Sequence, residues 1–111
     1  MRISIALVAI AVCVPALAGA QPRWTFCVAA SKSGADVWIT DVFAAERDRE
    51  QLENAFRAML ERTGARPDVQ CPLPRENKTE AVNAQFEAEE FNRHLGATLH
   101  AAPASEFPSR R

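Results

Sequence analysis

The chain has 111 residues, with 13 Lys+Arg against 14 Asp+Glu and a formal net charge of −1. A balance this even argues against a nucleic-acid surface and against an anchor on acidic lipid. Three cysteines and two histidines leave few groups for metal or thiol chemistry.

Residues 1–20 run from Arg2 through an apolar stretch, Ile3 to Val14, to Ala18-Gly19-Ala20. A basic start, an apolar middle and a small-residue end predict a signal peptide cleaved after Ala20. The stretch is too short to span a bilayer comfortably, so no transmembrane segment is expected after cleavage. The expected location is periplasmic or secreted. Cys13 would leave with the leader, and Val12 before it is the wrong neighbour for lipid modification. Residues 21–102 are expected to form one small domain, and 103–111 a disordered tail.

Trp24 to Ala30 and Val37 to Phe43 are rich in β-branched and aromatic residues. The polar loop Ser31 to Asp36 between them predicts an antiparallel hairpin. Its register would pair Ala30 with Val37, Val28 with Ile39, Phe26 with Asp41 and Trp24 with Phe43. Asp41 is out of place on that apolar face and is read as a bulge at the strand end.

Asp48 and Gln51 form a capping-box pattern that opens a helix. Leu52, Ala55, Phe56, Met59 and Leu60 fall on one helical face, and Gly64 ends the run. Asp68 to Pro72 reads as a short extended piece, with Pro72 and Pro74 limiting it. Asn77 with Glu80 opens a second helix, Lys78 to about Leu95. Its apolar line is Ala81, Ala84, Ala88, Phe91 and Leu95, and Gly96 follows as the cap. Ala97 to Ala101 is a candidate last strand.

In an oxidising compartment, the remaining pair Cys27 and Cys71 has one connectivity and predicts one structural disulfide. Closing a loop of that size is worth about 4 kcal/mol in the chain-entropy view. The bond would set the third strand beside the first. The expected fold is therefore α+β, a two-layer sandwich. It consists of a β-hairpin then α-β-α(-β), with a split β-α-β akin to ferredoxin-like folds.

With helices on one face only, the hairpin's other face would look outward. Trp38, Thr40, Thr25 and Val42 on it form the candidate binding surface, and Trp38 is its natural anchor. A one-residue change of register would instead bury Trp38 as core. Glu87, Glu90 and His94 share an exposed face of the second helix but make a poor closed metal site. Cys71 has His94 and His100 as conceivable bases, yet the disulfide reading removes it as a nucleophile. Asn77-Lys78-Thr79 fits a glycosylation sequon and is read as a helix cap. No catalytic residue, metal site or cofactor is expected.

The run Phe26-Cys27, then Val37-x-Ile39-Thr40-x-Val42-Phe43, a helix and Cys71-Pro72, resembles uncharacterised small secreted bacterial domains. That resemblance implies the disulfide and the hairpin-plus-helix plan, and no activity. The expected function is protein binding outside the cytoplasm, with another extracytoplasmic protein as partner. The alternative is an inhibitor or immunity-type protein acting through the Ser31 to Asp36 loop. A thiol or metal-dependent enzyme is the least favoured reading.

Overall fold

The structure, a computed structural model, describes residues 21–108. The signal-peptide expectation for 1–20, and residues 109–111, lie outside it. Strands are β1 (Trp24–Thr25), β2 (Val28–Ala30), β3 (Asp36–Thr40), β4 (Phe43–Ala44), β5 (Asp68–Gln70) and β6 (Thr98–Ala102); helices are α1 (Arg49–Glu61) and α2 (Lys78–His94). The fold is mixed α+β, as the pattern of elements implies.

The main sheet has the order β5-β2-β3-β6. β2 is antiparallel to both β3 and β5, and β6 is parallel to β3. The hairpin register holds at Val28–Ile39 and Ala30–Val37. Further out, β1 and β4 form a separate pair, Trp24 opposite Ala44 and Thr25 opposite Phe43. Between the two pairs the β3–β4 side carries one residue more than the β1–β2 side. Asp41 and Val42 are therefore a bulge, and the expected pairing of Trp24 with Phe43 slips by one.

Asp48 caps α1 with the full box, its carboxylate accepting from Gln51 N–H at 2.8 Å. Leu52, Ala55, Phe56, Met59 and Leu60 are all buried on its inner face. β3, α1 and β5 form a split β-α-β around β2, the arrangement that the cysteine pair demands. The next crossover, from β5 through α2 to β6, runs back across the sheet in the opposite direction. Crossovers of one hand that travel in opposite directions leave their helices on opposite faces. Accordingly α1 packs with Cys27, Ala29 and Trp38, whereas α2 packs through Ala84 and Ala88 on the side of Val37, Ile39 and Leu99. A ferredoxin-like arrangement would place both helices on one face, and here they divide.

This division corrects the expected open face. Thr25 and Thr40 are buried, at 2% and 0% exposure, and Cys27 and Ala29 are buried against α1. Val42 is turned by the bulge to the α2 side, where it meets the Phe26, Val37 and Ile39 cluster. α2 approaches through alanines, so Phe91 and Leu95 at the rim of its apolar line remain exposed, 64% and 68%, instead of buried. Gln85 turns inward instead, its Nε2 donating to Thr40 O at 2.6 Å.

Residues 103–108 lie against the domain. A 3-10 turn at Ala104–Glu106 brings Phe107 against Phe43 and Phe56, and Arg47 donates to the Pro108 carbonyl at 2.9 Å. One aromatic ring with a core slot to fill outweighs the prolines on either side of it.

Candidate functional site

Cys27 and Cys71 form the disulfide, with Cα atoms 4.2 Å apart. They continue the β2–β5 register by one step, Val28 opposite Gln70 being the preceding pair. The backbone around them is satisfied from both flanks. Cys27 N–H donates to Thr40 Oγ1 at 2.9 Å, and Cys71 N–H donates to Glu53 Oε2 of α1 at 2.9 Å. Both cysteines are fully buried. They staple the sheet and leave no thiol for catalysis in the described residues.

Of the four surface residues expected from sequence, Trp38 borders one groove and Thr40 lines the floor of another. Thr40 and Thr25 serve the interior: the Thr40 hydroxyl donates to Asp41 O, and that of Thr25 to Pro72 O. Trp38 is half-buried and stacks on His100 of the adjacent strand, ring centroids 5.4 Å apart. His100 Nε2 lies 2.9 Å from Asp36 Oδ1. β3 and β6 are in parallel register, Trp38 beside His100, and the pairing brings Asp36 and His100 together across 64 positions. Neither Asp36, which reads as turn, nor His100, which reads as a spare histidine, carries a local signal for this contact. His94 goes elsewhere, its Nδ1 at 2.8 Å from Glu90 O, and Glu90 pairs with Arg93. No three His, Cys, Asp or Glu side chains gather as a metal site among the described residues.

The Trp38–His100 stack forms part of an open groove of about 690 Å³, between the end of α1 (Met59, Arg62, Thr63) and the end of β6 with Glu106. On the other face a second groove of about 370 Å³ lies against Gln85, Glu89 and Arg93 of α2 and Leu99 of β6. The two grooves share His100 and Ala101. Between them runs the free edge of β6.

The sheet's two edges differ in how they are protected. β5 has three residues, stands between Pro67 and Pro72, and carries a Lys32–Asp68 ion pair. Short length, proline and charge are the ordinary defences of an exposed edge. β6 has five residues, Thr-Leu-His-Ala-Ala, with no proline and no carboxylate, lysine or arginine. Thr98 N–H bonds inward to Ala35 O at 2.8 Å. By strand alternation, Leu99 and Ala101 turn their N–H and C=O groups outward. Chemically this is a template for one more strand, with a groove on each face for its alternate side chains.

Comparison with protein-family models, with curated proteins and with solved structures finds no match to this chain. Among the described residues no helix is long and apolar enough to cross a membrane.

Proposed function

We propose that this chain is an extracytoplasmic binding domain, not an enzyme, which takes a protein partner along the free edge of β6. The observation that carries the reading is the contrast between a guarded β5 and an unguarded β6 set between two grooves. An extended segment added there gains main-chain hydrogen bonds from Leu99 and Ala101, and Trp38 supplies a large apolar contact in one groove. The leader pattern of residues 1–20 and the buried disulfide support the address.

The test is a substitution that spoils the edge while sparing the sheet. Proline at Ala101 removes an outward N–H and leaves the bonds to β3 in place, a position at which edge strands tolerate it. A tagged chain isolated from the cell envelope should retain a bound protein, and the Ala101→Pro variant, folded by circular dichroism, should lose it. Equal retention by both removes the proposal. Fractionation and N-terminal sequencing check the address: a mature chain starting near Gln21 is expected.

The inhibitor reading keeps one observation of its own. Lys32 to Ala35 is exposed, and its loop is held by Gly34 N–H to Ser31 O at 2.9 Å and Asp36 N–H to Ser31 Oγ at 3.1 Å. A pre-organised protruding loop loses little entropy on entering a cleft. Shortening it should abolish inhibition while leaving capture at β6 untouched.

A further inference from the structure

Resting on the reading that β6 is the docking edge, we infer that its occupant is a second copy of this chain. The two β6 strands pair antiparallel about a two-fold axis at His100, the middle residue of Thr98–Ala102. Leu99 and Ala101 are the outward-facing residues, one on each side of that axis. The rotation therefore sets Leu99 of one protomer against Ala101 of the other, twice, with both main-chain bonds made at each pair. His100 itself is drawn over its own Trp38 towards Asp36, away from the edge. The result is one continuous eight-stranded sheet.

Charge selects this occupant over an arbitrary strand. The α1-side groove carries Arg62 and Glu106, and the α2-side groove carries Glu89 and Arg93 together with Asp41, whose carboxylate already accepts from Ala104 N–H. On the α1 side, Arg62 caps a helix that returns antiparallel to β3, so it lies towards the start of β6, and Glu106 follows the strand's end. On the α2 side, Glu89 and Arg93 lie one turn apart on a helix that also runs back along the sheet. A two-fold rotation exchanges the ends of β6. It brings Arg62 of one protomer towards Glu106 of the other, and Glu89 towards Arg93, each contact occurring twice. Such self-complementarity on both faces is what an isologous interface requires. Arg62, Glu89 and Glu106 have no ion pair within their own chain among the described residues, whereas Arg93 also pairs with Glu90 of its own helix.

Sedimentation of the native protein across a concentration series tests the inference. Twice the chain mass is expected, with Ala101→Pro reduced to a monomer of unchanged circular dichroism. Arg62→Glu should raise the dimer dissociation constant about tenfold, and the combined Arg62→Glu, Glu106→Arg exchange should restore it, because the pairing is reciprocal. A native protein that stays monomeric overturns the second copy, as does a dimer that survives Ala101→Pro. In the first case, loss of another captured protein by Ala101→Pro would leave the edge as docking site and change only its occupant. If no capture depends on Ala101, the edge reading fails as well.

Discussion

Thr40 connects the interior of the fold at a single residue. Its hydroxyl accepts from Cys27 N–H and donates to Asp41 O, and its carbonyl accepts from Gln85 of α2. A valine of the same shape would leave the buried Cys27 N–H without a partner, which costs about 1–3 kcal/mol. Thr40→Val should therefore lower the urea midpoint markedly and Thr40→Ser much less, as equilibrium denaturation will measure. Phe107 poses the same kind of test for the C-terminal segment. Its ring lies 5.5 Å from that of Phe43 and 5.6 Å from that of Phe56, centroid to centroid. Phe107→Ala should cost about 2–3 kcal/mol, the value of a large aromatic withdrawn from a core contact. A midpoint unchanged by that substitution would mean that residues 103–108 are dispensable to the fold. Both residues show the reach of one-dimensional reading. Asp41 was legible as a bulge because a carboxylate interrupts an alternating face, whereas Thr40 looks like any strand threonine until Cys27 and Gln85 are beside it.

At the scale of elements, what is local was legible and what depends on direction was not. The first helix has its start in Asp48 and Gln51, its stripe in Leu52 to Leu60 and its stop before Gly64, all within one stretch of chain. Asp48→Ala removes the carboxylate that holds Gln51 N–H and should cost about 1 kcal/mol, read as a lower thermal midpoint. Asp48→Asn should recover most of it. The second helix was legible in extent, Asn77 accepting from Thr79 N–H and Glu80 N–H, but not in its face. Its side of the sheet is fixed by where β6 pairs, on the far edge from β5, and no residue in the helix states that. The candidate surface was misplaced for this reason. Cys27, Ala29 and Trp38 are apolar enough to be buried, and Val28, Ala30, Val37 and Ile39 are as well. A hairpin apolar on both faces calls for cover on both. That signal was present in the sequence, and it calls for a helix on each face of the hairpin.

For the whole molecule, the disulfide binds these pieces into one cooperative unit. It joins the α1 side of the core to β5, a strand of three residues whose own ladder is short, and it closes the loop that contains the hairpin turn and all of α1. Loss of such a link costs about 4 kcal/mol in the chain-entropy account, with 2–4 kcal/mol the usual range. A domain of this size has a net stability of about 5–10 kcal/mol, so the bond accounts for much of it. Because both sulfurs are fully buried, a reducing agent should reach them only when the sheet opens. The mature chain from Gln21 should then titrate no thiol under native conditions, and two after denaturation with reductant. The Cys27→Ala, Cys71→Ala double variant should unfold at a much lower denaturant concentration than the oxidised protein, and its α1 amides should lose hydrogen-exchange protection together with those of β5. Cys71 N–H is held by Glu53 of that helix, so releasing the strand removes a partner from both elements at once. If the double variant kept the oxidised midpoint, the hydrophobic clusters alone would hold the fold, and the link between an oxidising address and a folded chain would be lost. The expected outcome is the reverse: a chain that folds stably only where its cysteines can pair.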